Sequence, residues 1–460
     1  MSNGTSKRVT LIIASTASFI GPFMFSGVNI ALPTVGKEFA VEAVLLGWVA
    51  NATILASAVV LLPAGRLADI YGRKKIFLYG MLLFAIASFL CAISHSTISL
   101  IVYRVIQGIG GGMTFGTSVA IVTSVFPADE RGRALGINVA AVYLGLSLGP
   151  FIAGVLTQYL GWRSIFFLGS FLCLMAVGLT FWKLKGEWAE ARGEKFDVVG
   201  SIVFSISLLM MMYGFTVLPT IRGFLLVLLG VLGMLAFVRW EAKTASPVLN
   251  VGLFRKNTIF VFSNLAALIN YSATFAVTFL LSLYLQYTKG FPPQTAGLIL
   301  IAQPAVMAIV APVAGRVSDR IEPRIIASVG MAFTCVALLF FVFLTEETAL
   351  GFIIGSLVIF GLGAGFFSSP NTNAIMGSVA KKYLGVASGM VGTMRTSGMA
   401  LSMGIVMIFF SIYIGKAQIT PEYYPAFLTS VKVSFVIFTA LCFGGIFAQL
   451  AGIKISREKV

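Results

Sequence analysis

From residue 9 to residue 452 the chain alternates long apolar runs with short polar turns. A run of about 20 apolar residues rises about 30 Å as a helix, enough to cross the hydrocarbon layer of a membrane. On that measure spans are predicted near residues 9–35, 43–64, 76–94, 98–125, 134–158 and 162–182. A mixed-charge stretch, 183–197, leads into two further spans near 198–218 and 222–238, and an inner segment, 241–257, follows. Six more lie near 258–287, 293–314, 325–344, 349–377, 385–414 and 428–452, which makes fourteen in a six, two, six order. An all-α polytopic membrane protein is therefore the expected fold class. With 58% hydrophobic and 10% charged residues, no soluble globular class fits. Lys7 and Arg8 ahead of an apolar run imitate a signal peptide, but the run continues to about Val35 and more spans follow, so it is read as a retained first span.

The formal charge of +16 could suggest a nucleic-acid partner, which would require a basic face on a polar domain. Here the cations sit in the turns between spans, and they are distributed unevenly: 24 fall on one side and 6 on the other, with Arg104 and Arg395 left inside the membrane. The positive-inside bias puts both termini in the cytoplasm, with the lipid bilayer of the plasma membrane as surroundings and no nucleic acid as partner. Cys91, Cys173, Cys335 and Cys442 lie singly in apolar runs and read as small core residues rather than disulfide halves.

A repeat organises the spans. The turn Gly65-Arg66-Leu67-Ala68-Asp69-Ile70-Tyr71-Gly72-Arg73-Lys74-Lys75 has a partner 250 residues later in Gly315-Arg316-Val317-Ser318-Asp319-Arg320. Gly108-Ile109-Gly110-Gly111-Gly112 is echoed 253 residues later by Gly361-Leu362-Gly363-Ala364-Gly365. Two six-helix bundles, residues 1–190 and 246–460, are thus expected on either side of a two-helix insert, 191–245. Duplication of this kind builds transporters with a site near the bilayer midplane, between lobes that rock against each other. Asp69 and Arg73, four residues apart, can pair across the first basic turn; the alternative is that the basic residues there only set topology.

Several of these stretches resemble the Major Facilitator Superfamily, in particular its fourteen-span branch of drug:proton antiporters. Gly65 to Lys75 is similar to the loop between spans 2 and 3 of that family, with its Gly, Asp, Gly and Arg at Gly65, Asp69, Gly72 and Arg73. Leu100-x-x-x-Arg104-x-x-Gln107-Gly108-x-Gly110 resembles the span 4 motif, and Gly145-x-x-x-Gly149-Pro150-x-x-x-Gly154 the span 5 pattern associated with exporters. Ser246-Pro247-Val248-Leu249 through Leu253-Phe254-Arg255 resembles the segment after the insert. The resemblance implies a monomeric secondary transporter without cofactors that exports lipophilic small molecules by alternating access, with a proton as coupling ion. It implies that Arg104 serves energy coupling and that Asp69 contacts helices of the opposite half in the outward-facing state. One departure stands out: Met24 occupies the place, just before Val28-Asn29-Ile30-Ala31-Leu32-Pro33, where the branch carries an Asp, and no Asp or Glu of the chain lies mid-span.

Arg104 is the most informative single residue, because an unpaired guanidinium at that depth costs about 2.5–3.5 kcal/mol on insertion scales. It either faces a polar cavity or bonds backbone carbonyls of broken helices. Gln107 shares its helix face. Arg395 is placed nearer the interface, where it could snorkel. Two deep cations and no deep carboxylate favour an anionic or neutral substrate. Asn29, Gln107, Asn270, Tyr271, Gln303, Asn371, Asn373 and Arg395 are candidates for the cavity wall, as more broadly are Asn51, Asn138, Tyr143, Asn264 and Gln286; each could instead glue helices together. Gly145, Gly149, Pro150 and Gly154 form a hinge or, alternatively, an ordinary close-packing stripe. A single histidine, His95, leaves no catalytic or metal constellation, so an enzyme is not expected. The remaining alternatives are a facilitator or importer of an organic anion, and a non-transporting sensor on the same fold.

Overall fold

The computed structural model describes residues 7–39, 43–218, 220–244, 246–249, 257–291, 293–414, 422 and 424–451. These form α1 (Lys7–Phe39), α2 (Ala43–Tyr71), α3 (Arg73–Ala92), α4 (Thr97–Val125), α5 (Ala128–Leu160), α6 (Arg163–Lys183), α7 (Val198–Thr216) and α8 (Ile221–Glu241). The second half contributes α9 (Thr258–Leu283), α10 (Pro293–Leu300), α11 (Ala302–Val317), α12 (Pro323–Val342), α13 (Leu350–Gly377), α14 (Leu384–Tyr413) and α15 (Tyr424–Ala451). Fourteen spans are long and apolar enough to cross a membrane, and no strand occurs among the described residues. Leu253, Phe254 and Arg255 lie outside the described residues.

Local chemistry sets the ends. The side chains of Ser96 and Asn257 accept from the backbone N–H groups of Ser99 and Phe260, at 3.2 and 2.9 Å, and so cap α4 and α9. The tenth span, 295–317, is broken at Ile301, between α10 and α11. Pro304 is the cause: it has no N–H to return to the carbonyl of Leu300.

Each half has its own apolar core. In the first, Phe23, Phe77, Phe166 and Trp162 pack together; in the second, Phe341, Phe360, Phe435 and Phe438 do so. The repeated glycines let neighbours approach within backbone contact. A methyl group on Gly110 of α4 would lie 2.7 Å from the carbonyl of Gly80 on α3, and one on Gly330 of α12 would lie 2.7 Å from that of Gly363 on α13. The insert, α7 and α8, rests on both halves. Ser205 of α7 donates to the carbonyl of Val59 on α2 at 2.8 Å, and Phe215 of α7 meets α14 at Gly404.

The turns joining α2 to α3, α4 to α5 and α11 to α12 share one end of the molecule, called here the basic face. At the other end the first half is closed by Glu38, which accepts from the Trp162 indole at 2.7 Å and pairs with Arg163 at 2.7 Å. The indole bond and the Arg163 guanidinium hold the Glu38 carboxyl below the ordinary glutamate range, against the effect of burial. A carboxyl depressed in this way stabilises the folded state fully above its unfolded pKa, and the contribution fades as pH falls through the folded value. Glu38→Gln is therefore expected to lower the unfolding temperature of the purified protein at neutral pH, and the gap from wild type should close below about pH 4.

Candidate functional site

Helix N-termini carry unpaired backbone N–H groups and a partial positive charge, so a carboxylate brought against one is held by both. At the basic face an aspartate meets the start of a helix twice across the seam between the halves, in the first turn of α14 and in the second turn of α5. Asp69, at the end of α2, accepts from the backbone N–H of Gly385 at 2.9 Å and of Val386 at 3.1 Å, in the first turn of α14. Asp319, after α11, accepts from Gly132 at 2.6 Å and Arg133 at 3.0 Å, in the second turn of α5. The two sets are related by the repeat. Gly65 faces Gly385 and Gly315 faces Gly132 so closely that a side chain on any of the four would strike the carbonyl opposite.

The latches differ in their second partners. Arg73 pairs with Asp69 at 2.6 Å and also donates to Ser124 at 2.7 Å and to the Lys381 carbonyl at 2.6 Å, so that a fully buried pair ties α2, α3, α4 and the approach to α14. The repeat puts Pro323 where Arg73 would be, and Asp319 has no ion pair among the described residues, with the charges of Arg131 and Asp129 acting on it in opposite senses. Burial pushes the Asp319 carboxyl up from its ordinary value, while the N–H groups of Arg133 and Gly132 pull it down. Asn373 donates to the Ser318 hydroxyl at 3.1 Å, which places this amide in the second latch, away from the midplane.

The mixed-charge stretch after α6 folds over the first latch as a strap. The Ala191 N–H donates to the Asp69 carbonyl at 3.0 Å, Arg73 donates its N–H to the Trp188 carbonyl at 3.0 Å, and Lys74 donates its N–H to Glu187 at 2.8 Å. Arg66, buried, pairs with Glu194. Gly72, at φ 117°, makes the turn that brings Arg73 round to these partners.

Deeper in the seam, the Arg395 guanidinium lies 5.4 Å from the ring centre of Phe115 on α4 and 5.5 Å from that of Tyr271 on α9. The Tyr143 hydroxyl of α5 faces Tyr271, Arg395 and the Ser368 hydroxyl of α13. Five helices from both halves thus meet at one cluster. Arg395 is not near the interface, as its place in the sequence suggests. It stands eleven residues into α14, about 16 Å along the helix, and is half-buried among rings. No acidic side chain pairs with it among the described residues.

Around this cluster the amides are unevenly placed. Asn270, next to Tyr271, is buried with its amide nitrogen unpartnered, and Asn371, one turn along from Ser368, is buried with its carbonyl oxygen unpartnered. Gln303 accepts from Thr278 at 3.4 Å and approaches the sulfur of Met307, which packs with Tyr143. Asn29 is exposed, towards the far end of α1. Arg104 lies apart, sealed inside the first half. Its Nε donates to the Val49 carbonyl of α2 at 2.9 Å, its guanidinium donates to Gln107, and Gln107 donates to Ser88 of α3 at 2.7 Å. Phe166 of α6 covers it at 5.9 Å. Among the described residues no group of His, Cys, Asp or Glu could hold a metal.

In the span 5 pattern, Gly145 and Gly149 press against the backbone of Phe19 and Phe23 on α1, whereas the nearest atom to a methyl on Gly154 would be 4.0 Å away. Pro150 sits within α5, which continues unbroken past it. Asn138 belongs to a buried network with Ser18, which donates to it at 3.1 Å, and Ser118.

Asp69→Asn and Asp319→Asn are each expected to slow the conformational cycle at least tenfold while leaving expression intact, with Asp69→Asn the more severe because it also strands Arg73. Turnover against membrane abundance measures this. Gly149→Leu, forced against the Phe23 carbonyl, is expected to abolish turnover although the chain still inserts.

A family model described as Major Facilitator Superfamily matches residues 14–403. The riboflavin transporter RibZ of Clostridioides difficile is 30% identical over 440 residues, covering 96% of both chains. The cephamycin export protein CmcT of Amycolatopsis lactamdurans is 30% identical over 426 residues, covering 88% of this chain and 86% of its own. The multidrug resistance protein Stp of Mycobacterium tuberculosis is 29% identical over 407 residues, covering 86% and 75%. Among solved structures, the human organic anion transporter MFSD10 superposes with a TM-score of 0.74 at 14% identity, over 97% of this chain and 100% of its own. The chain is a multi-span membrane transporter and belongs to the Major Facilitator Superfamily.

Proposed function

We propose that this transporter exports hydrophobic or amphiphilic small molecules by alternating access, as a monomer in the cell membrane, with its basic face and both termini in the cytoplasm and a proton gradient as its drive. The observation that carries the reading is the pair of aspartate latches, which close the seam at the basic face while the Arg395 cluster occupies the same seam further in. A seam closed at the basic face is the arrangement in which an exporter would release its load on the opposite side. Relatives named for cephamycin export and multidrug resistance support the direction.

The cluster is also the proposed substrate seat. Phe115, Tyr143 and Tyr271 offer ring faces and Arg395 an unpaired cation, so a flat aromatic molecule that is neutral or anionic is preferred over a lipophilic cation. Asn371, one turn from Ser368, supplies an unpartnered amide oxygen on the cluster's side of α13. The lack of an acidic partner for Arg395 favours, as a second reading, a facilitator or importer of an organic anion.

Flux into proteoliposomes separates these. A panel of lipophilic cations, organic anions and neutral amphiphiles, riboflavin among them, is compared with and without a pH gradient. Gradient-driven flux of anionic and neutral aromatics is expected, with Arg395→Gln reducing anion flux at least tenfold and neutral flux less. Tight, competitive transport of quaternary ammonium dyes with no anion flux overturns the seat. Gradient-independent flux favours the facilitator, and binding without flux would make the protein a sensor.

A further inference from the structure

Where the insert begins and ends, two acidic side chains meet. Asp197 caps α7, accepting from the Gly200 N–H at 2.8 Å through one oxygen and from the Trp240 indole at 2.8 Å through the other. Glu241, the last residue of α8, is only 2% exposed. One of its oxygens accepts from the Leu249 N–H at 2.9 Å; the other, Oε1, has no donor. That oxygen and Asp197 Oδ2 converge over Gly200, where a methyl group would sit 2.6 Å from the aspartate and would strike the glutamate outright. The two carboxyl groups are within hydrogen-bonding reach of each other.

Ionised carboxylates are acceptors only, so a hydrogen bond between two of them needs a proton on one. Among the described residues no cation relieves the repulsion. On α7 the only charged group facing Glu241 is Asp197, α8 adds the neutral Trp240 indole, and the connection to α9 adds the N–H groups of Val248 and Leu249. Arg66 of α2 and Glu194 of the strap pair with each other. Val386 of α14 is apolar, and Lys195, Arg239 and Lys243 are exposed and pair with neither carboxyl among the described residues.

We propose that Asp197 and Glu241 form a proton-binding site that takes up one proton from the solution at the basic face when that face is closed, and returns it to water when the face opens. The link to closure is direct. Leu249, held by Glu241, and Val248 share one apolar cluster with Leu55 and Leu62 of α2 and Val386 of α14, and Val386 donates its N–H to Asp69. Protonated, the pair fixes the Val248–Leu249 corner beneath the first latch. Deprotonated, the like charges separate and the corner loosens. A site that binds its proton more tightly in the closed state favours closure at low pH, and closure is lost as pH rises through its titration. This site lies at the end of the spans, so it supplies a proton response that the chain's empty midplane cannot.

The test reads closure without any substrate, so it is independent of the transport reading. Spin labels are placed at the exposed positions Lys75 and Arg320, one in each half, in the full chain reconstituted into bilayers after replacement of the native cysteines. Distances between them are measured from about pH 5 to about pH 9. The open-to-closed ratio of the wild type is expected to rise with pH, approaching tenfold per unit at its steepest, the limit for one linked proton. Glu241→Gln and Asp197→Asn, which keep the shapes and the α7 cap but hold no exchangeable carboxyl pair, should stay closed across the range. A slope cut by half or more in either variant supports the proposal; a smaller cut in both, or a flat wild type, overturns it.

Discussion

A buried backbone N–H without an acceptor is costly anywhere, and in or near lipid there is little water to rescue it. The first turn of α14 reaches the seam with such groups, the N–H groups of Gly132 and Arg133 in the second turn of α5 reach it too, and their own half does not supply the acceptors seen here. Asp69 and Asp319 do so from across the seam. Closing the basic face is therefore the act that satisfies these helix ends, and the glycine pairs beside each aspartate are what allow the backbones close enough to do it. In the alternating-access cycle proposed above, opening would expose these N–H groups and the two carboxylates to water, which can also hydrogen-bond them.

Much of this was legible in the sequence and some was not. Span number, the two-helix insert and the repeat follow from apolar length and from glycine and charge spacing, since lipid enforces those patterns strictly. Asp69 and Arg73 announce a pair by their spacing. Their far partners do not, because Gly385 and Val386 contribute backbone N–H groups that any sequence possesses. The second latch was recoverable from the repeat: Asp319 follows Asp69 by 250 residues, and Gly385 follows Gly132 by 253. Arg395 was misjudged for want of a simple measure, since eleven helical residues already reach halfway through a bilayer of about 30 Å. For Arg104 the helix neighbour Gln107 could be foreseen, whereas the Val49 carbonyl that receives it could not.

The halves are alike in plan but not in strength. A buried arginine reinforces the first aspartate, and the strap from Leu184 to Glu194 ties its turn with two backbone–backbone bonds and one from Lys74 to the Glu187 side chain; the second has a proline in the arginine's place and no such cover among the described residues. Duplicated folds commonly keep the geometry of a contact and let its energy diverge. Here the divergence leaves the first side of the seam the more strongly tied.

The insert bears on both α2 and α14, through Ser205 on one and Phe215 on the other, yet these two helices belong to lobes that must part. In the alternating-access cycle proposed above it cannot stay seated on both, so each swing of the lobes would drag this extra pair sideways through the surrounding fatty acyl chains, and membrane viscosity would enter the working speed.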